Sequence, residues 1–200
     1  RHYLQVWYQT GVWQQLHALL LAELNGADQI DWSRALIDAS FAKAPLGGED
    51  TGPNPTDRGK SGSKHHVMTD AQGIPLGAKV TAANVNEVTR VFDVLTSMPD
   101  VGGKPGPKRQ KPERLQGDRA FDSEPVRQLL RWLGITPVLA KRGAEHGSGL
   151  GGFRWFVERT IAWLHQFGRL RRRLDRRTEL QDAFLQLACN LICLNFLTGP

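Results

Sequence analysis

Apolar side chains recur at two different periods along this chain, and the switches between them divide it into elements. In residues 1–25, Tyr3, Leu4, Trp7, Val12, Trp13, Leu16, Leu19, Leu20 and Leu24 keep the spacing of a helix, and Asn25-Gly26 supplies a stop. Ala35-Leu36-Ile37, leading into Asp38 and Ala39-Ser40-Phe41, predicts a strand over residues 33–41 that is buried on both faces. Pro45, Gly47, Gly48, Gly52, Pro53, Pro55, Gly59 and Gly62 punctuate residues 42–63, which read as a long loop. Residues 64–69 and 74–81 alternate as strands around a turn at Asp70-Ala71-Gln72-Gly73, and with the first strand they make an antiparallel meander.

The second half mixes the two periods. A helix is predicted over residues 86–98, capped by Asn84 or Asn86, with Val88, Val91, Phe92 and Leu95 on its apolar side. Residues 99–112 form a basic Gly/Pro linker, followed by a short strand ending at Asp118 and a turn through Asp122. A helix capped by Ser123 and stopped by Gly134, a strand over residues 136–140 and a loop over residues 141–152 come next. On a helix over residues 153–173, Phe153, Phe156, Val157, Thr160, Trp163, Leu164 and Phe167 gather on one broad face, while Arg154, Ala162, His165 and Arg169 surround Glu158 on the other. That second face is either a solvated stripe with one ion pair or part of a site. The last helix, residues 179–196, is apolar on most sides. This order gives an α/β fold: a mixed sheet, with an antiparallel three-strand meander plus parallel strands, flanked by helices.

Composition narrows the partner. The formal charge is +6 and the isoelectric point about 9.7, which suits a polyanion. Arg169, Arg171, Arg172, Arg173, Arg176 and Arg177 concentrate that charge more densely than solubility requires. No uninterrupted apolar run approaches the roughly 20 residues of a bilayer span, so a soluble, cytoplasmic protein with no membrane partner is expected. Cys189 and Cys193 fall in an apolar helical run as buried thiols, which leaves redox chemistry without a candidate. His65 and His66 point to opposite faces of one strand and cannot share a metal.

The chemistry lies with three acids. Asp38 interrupts a buried strand, where a charge needs either a turn to cap or a cation to answer it. In a mixed sheet Asp38 can lie beside Asp118, while Glu158 reaches the same edge from a helix. Grouped carboxylates with only oxygen donors favour Mg2+, with Mn2+ as a substitute. Two such ions about 4 Å apart can activate a water or a 3′ hydroxyl and stabilise the leaving oxygen at phosphorus.

The segments ALIDASFAKA, GPNPTDRGKSGSKHHV, GDRAFDS and RWFVERTIAWLHQFGRLRRR, in that order, resemble the DDE transposases of bacterial insertion sequences, in particular the IS5 group of the IS4-like class. The resemblance runs from about residue 31 to residue 194 and implies an RNase H-like catalytic domain over residues 31–200, with Asp38, Asp118 and Glu158 as catalytic and metal-binding residues. Arg154 matches the Arg of the signature Tyr-x2-Arg-x3-Glu-x6-Lys, but Gly151 stands at the Tyr position and His165 at the Lys position. Double-stranded DNA, both element ends and target, is the implied partner, held by an oligomer of this chain. Arg58, Lys60, Lys64, Arg119, Arg154, His165 and Arg169 are the expected DNA contacts, although Arg119 could instead balance Asp118. Asp122 is expected to be structural. Residues 1–30, which open abruptly and without Met, read as a helical remnant or connector of an amino-terminal DNA-binding region. Two other readings share these residues: a decayed copy that binds DNA without cutting it, and a metal-dependent nuclease on the same fold.

Overall fold

The computed structural model describes residues 2–141 and 151–199, so most of the loop expected over residues 141–152 lies outside the described residues. Two helices open the chain, α1 (His2–Gln9) and α2 (Val12–Gly26). The sequence pattern predicts one helix here; Gly11, at φ 74°, breaks it in two. Then come β1 (Ala35–Lys43), the two-residue β2 (Gly52–Pro53), β3 (Ser61–Asp70) and β4 (Pro75–Ala82). A 3-10 turn capped by Asn86 leads into α3 (Val91–Thr96), which buries Val91, Val94 and Leu95 and leaves Phe92 exposed. β5 (Arg114–Gly117), α4 (Glu124–Trp132), β6 (Thr136–Leu139), α5 (Gly151–Gln166), α6 (Gly168–Arg171) and α7 (Thr178–Thr198) complete it.

The strands make one mixed sheet in the order β4-β3-β1-β5-β6, with β2 added to the start of β3 beside the end of β4. β1, β3 and β4 are the predicted antiparallel meander, and β5 and β6 extend it in parallel. The antiparallel strands are longer than their sequence pattern suggests: residues 35–43 and 62–70 pair without interruption, drawing Lys43 and Ser61–Ser63 out of the predicted loop. β5, by contrast, pairs with only Ala35, Leu36 and Ile37 of β1.

Each face of the sheet has its own core. On one, Ile37, Met68, Leu76 and Leu115 pack with Val94 of α3, Leu130 of α4 and Leu21 and Leu24 of α2. On the other, Val67 and Val80 meet Leu164, Leu170, Leu185 and Cys189 from α5, α6 and α7. The helices of residues 2–26 share this body. The Asn190 amide of α7 donates to the Trp13 carbonyl, and His17 bonds the Pro75 carbonyl at 2.9 Å. α7 is long and apolar enough to cross a membrane by length and composition, more so than the residue pattern suggests, yet much of it is buried against β4 and α2. The basic stretch at 99–112 is likewise docked rather than free: Val101 is buried, Val101 and Arg109 exchange backbone hydrogen bonds, and the Asn25 amide donates to the Gly102 carbonyl.

The predicted continuous helix over residues 153–173 ends at Gln166, turns at Phe167 and resumes for one turn as α6. The break brings Arg173 out of helical register and into the interior. Its Nε donates to the Asp175 carbonyl at 2.8 Å, and Nη1 donates to Ser63 Oγ at 2.7 Å and to the Asp50 carbonyl at 3.2 Å. One buried guanidinium thus ties the 44–52 connection, β3 and the approach to α7 together. Arg173→Ala is expected to cost about 3–5 kcal/mol in urea unfolding, because several buried acceptors lose their donor. Arg173→Lys should recover less than half of that, since a single ammonium cannot span the fork.

Candidate active site

The pairing of β1 with β5 fixes the first two acids. Ile37 is registered with Gly117, so the next residues, Asp38 and Asp118, leave neighbouring strands side by side. Gly117 permits the close approach: a Cβ there would meet the Ile37 methyl at 2.9 Å and Leu139 at 3.2 Å. Each aspartate spends one oxygen on its own backbone. Asp38 Oδ1 accepts from the Ala39 N–H at 2.8 Å, and Asp118 Oδ1 caps the following turn by accepting from the Ala120 N–H at 2.9 Å. Those bonds fix both carboxylates so that each Oδ2 is presented to the same point.

Glu158 arrives from α5, which is held at three places along its length. Near its start Arg34 stacks on the Phe153 ring at 4.2 Å while donating to Gln116 Oε1 of β5 at 2.5 Å. In its middle the Thr160 hydroxyl donates to the Gly73 carbonyl at 2.6 Å, and Arg159, lying over Trp155 and Trp163, donates to the Gln72 carbonyl at 2.5 Å. Farther on, Leu164 is buried in the core. The buried stripe is therefore Val157, Thr160 and Leu164, narrower than the apolar face the spacing predicts; Phe153 and Phe167 lie at its rim.

At the point where the three acids meet stands the guanidinium of Arg154. Its Nε is 2.8 Å from Glu158 Oε1, and its Nη2 is 3.9 Å from both Asp38 Oδ2 and Asp118 Oδ2. Side-chain exposure grades from 15% at Asp38 through 31% at Asp118 to 53% at Glu158, so the cluster opens from the sheet toward solvent. Burial pushes the Asp38 carboxyl up to about 6; the Ala39 N–H and Arg154 pull it down, and Asp118 and Glu158 push it up again. Asp70 is raised to about 6 as well, also by burial, but its oxygens accept from the Asp31, Gln72 and Ile74 N–H groups and close the β3–β4 turn. Two buried aspartates with similar acidity thus differ in what faces them: backbone for Asp70, charged side chains for Asp38.

Among the described residues, no three Asp, Glu, His or Cys side chains stand in coordinating geometry by themselves; the acids are arranged around Arg154. The donor set nevertheless suits a hard divalent cation. It offers only oxygens, a positive group already fits between them, and three carboxylates against one guanidinium leave two negative charges to be met.

The remaining expected contacts divide. Arg154 is at the centre of the cluster, and Arg119 is exposed on the turn that Asp118 caps. Arg58, at φ 52°, and Lys60 are exposed on the loop before β3. Lys64 is not on that surface: its ammonium is buried against Glu87 Oε1 at 2.6 Å and donates to the Val85 carbonyl. Strand alternation turned it inward, where a partner on the 3-10 turn was waiting. Arg169 pairs with buried Asp175 at 3.4 Å and lies over Phe184. His165 meets Ser40 Oγ at 3.1 Å rather than Glu158, and burial, then Arg171, lower its affinity for a proton, so near neutral pH it is a hydrogen-bonding group rather than a cation. Asp122 pairs with Arg127 at 2.7 Å, while Arg127 also donates to the Leu139 carbonyl, which makes this acid a brace between α4 and β6. Arg34 and Ser40 were not singled out by the sequence, and Phe153 was read only as part of the helix's apolar face; Ser40, two residues after Asp38 and so on the same strand face, carried the one available signal.

A sequence profile described as "Transposase DDE domain" matches residues 33–196. "Putative transposase for insertion sequence element IS402" of Burkholderia cepacia is 54% identical over 178 residues, covering 88% of this chain and 82% of that protein. "Insertion element IS402 uncharacterized 16.2 kDa protein" of the same organism is 50% identical over 52 residues, 26% of this chain and 35% of that one. Among solved structures, a Mos1 transposase paired-end complex with left transposon end aligns with 88% of this chain and 58% of that one, at 10% identity and a TM-score of 0.36, too distant to bear on the argument. The profile takes in the whole sheet, all three acids and the helices that present them, and on that coverage, with a relative identical at more than half of the aligned positions, the chain belongs to the transposase DDE domain family.

Proposed function

We propose that this chain cuts and rejoins DNA at the ends of an insertion sequence, with Asp38, Asp118 and Glu158 as the catalytic acids and Mg2+, or Mn2+ in its place, as a two-ion cofactor. The observation that carries the reading is the convergence of the three carboxylates on one guanidinium. Bound between these acids, divalent ions would supply Lewis-acid polarisation of the phosphate and a nucleophile usable at neutral pH. In the first step a water oxygen bonds to phosphorus at the element end, the P–O3′ bond breaks, and the 3′ oxygen leaves with a proton as a hydroxyl. In the second, that hydroxyl attacks a phosphodiester of the target, forming one P–O bond while another breaks. The energy of the phosphodiester is conserved, so no nucleotide cofactor is required.

The chain's own groups have separable tasks. Asp38 and Asp118, each with one oxygen anchored on backbone, set the position of the reacting phosphate. Glu158 is the most exposed of the three, so its carboxylate can move by a side-chain rotation as ions and DNA enter. Arg154 offsets part of the acids' charge in this arrangement and would be free to meet a phosphate oxygen if cations took its place. Arg58 and Lys60, exposed on the loop before β3, and Arg119, exposed on the turn that Asp118 caps, contact the DNA backbone. Work on two element ends requires more than one copy of the chain on the DNA.

The Asp38 carboxyl also sets a stability cost. Its folded value of about 6 lies above the ordinary 3.8, so the folded chain holds this proton more tightly than the unfolded chain does. The penalty for ionising it is therefore full above pH 6, shrinks as pH falls from 6 toward 3.8, and is absent below. Asp38→Asn is expected to stabilise the metal-free protein by about 1–3 kcal/mol at pH 8, and by progressively less toward pH 4, in chemical unfolding monitored across pH. Asp118→Asn is expected to lower Mg2+-dependent cleavage of a duplex carrying the element end by at least about a thousandfold with DNA affinity retained. Equal cleavage by wild type and this variant would refute the assignment.

A further inference from the structure

β1 outlasts its parallel neighbour. β5 leaves it after Ile37, and from Asp38 onward that edge of β1 faces α5 and α6 instead, until Lys43 bridges to Arg172 and the Arg173 N–H donates to the Lys43 carbonyl at 2.8 Å. Two open clefts flank this bridge. One, of about 480 Å3, runs from His165 past Phe41 and Arg171; the other, of about 520 Å3, runs to Lys60 and Asp57. Lys43 and Arg172 line both, so the clefts form one trough divided at that pair.

The trough collects cations that the fold does not use. Arg169 and Arg173, on either side, are committed to Asp175 and to the interior, and Lys64 to Glu87. Arg171, Arg172 and Lys60 are exposed and have no carboxylate partner among the described residues. Lys43, with its side chain 72% exposed, has only a loose contact to Asp57 at 3.6 Å, which is the one acid in either lining. Four cations against one carboxylate, along a trough that begins at His165 on the helix that carries Glu158, make a track for a polyanion.

Its distance from the cluster bounds a register. His165 is seven residues past Glu158, about 10 Å along a helix, and Lys43 is five residues past Asp38, about 17 Å along a strand. One strand of duplex DNA rises about 3.4 Å per phosphate along the axis and winds round it, so its phosphates lie farther apart than that rise and these points fall within roughly three and five nucleotides of a phosphodiester held by the acids.

We infer that the trough lined by Lys43, Lys60, Arg171 and Arg172 binds the sugar-phosphate backbone of DNA within about five nucleotides of the phosphodiester that is cut. The register rests on the catalytic reading above, whereas the binding itself does not. The test is fluorescence anisotropy of the whole chain with a labelled 30-base-pair duplex over a range of salt, comparing wild type with the Lys43→Gln/Arg172→Gln double variant. Both side chains are exposed, and only their backbones serve the fold.

The double variant is expected to bind at least about tenfold more weakly, with a salt slope smaller by about 1.8, the share of two phosphate contacts. Lys43→Arg/Arg172→Lys should bind like wild type. Lys104→Gln/Lys108→Gln, which removes the same charge from the distant 99–112 stretch, should bind within about twofold of wild type. Unchanged affinity and slope in Lys43→Gln/Arg172→Gln, or an equal loss in Lys104→Gln/Lys108→Gln, overturns the inference. Neutral methylphosphonates placed within about five nucleotides of the mapped cut should weaken wild type more than the same groups placed farther away and leave the double variant unaffected; the reverse pattern overturns the register. Loss of binding in the double variant, with no metal-dependent cut by wild type, would sink the catalytic reading and leave the trough as a backbone site.

Discussion

A carboxylate in the middle of a buried strand is tolerated only if something nearby answers its charge, and the arrangement around Asp38 is organised by that demand. The sheet cannot supply the answer, because its next strand delivers a second acid, Asp118, alongside the first. The helix that could cover both brings a third. Arg154, four residues before Glu158 on the same helix, meets all three at once, so one turn of α5 carries both an excess charge and its partial remedy. The deficit that remains leaves the place room for a cation, since a site fully neutralised by the protein would have no use for one.

Such a deficit has to be held against electrostatic repulsion, and the holding is done by ordinary contacts. Backbone N–H groups occupy one oxygen of each aspartate; Arg34 on Phe153 and Thr160 on the β3–β4 turn fix the helix; Gly117 lets the strands close. None of these groups needs to touch DNA. Their role is to leave the acids few alternatives to facing one another.

Much of this was legible in the residues. The meander, the parallel continuation, the caps at Asn86 and Ser123 and the interruption of an apolar strand by Asp38 follow from local spacing and composition, which act over a few residues. What could not be read was the fate of individual cations. Lys60 and Lys64 are four residues apart on one basic segment, yet one is exposed and the other is sealed against Glu87; Arg172 and Arg173 are neighbours, yet one lines a trough and the other holds the interior. These outcomes depend on strand parity, on the break at Phe167 and on acids distant in sequence, so a run of arginines specifies a charge density but not which members present it. The length of β1 was hidden for a related reason: Lys43 and the residues facing it belong to a strand only because nine pairs form together.

The mismatch between a nine-residue β1 and a four-residue β5 has a geometric result of its own. The sheet steps down in height beside Asp38, and the acids sit on the ledge, with the trough running off along the taller side. Among the described residues the acids open from this ledge toward solvent, so a polymer can be laid onto it from the flank. A pocket closed at one end would accept only a terminus; this contour suits bonds in the interior of an unbroken chain.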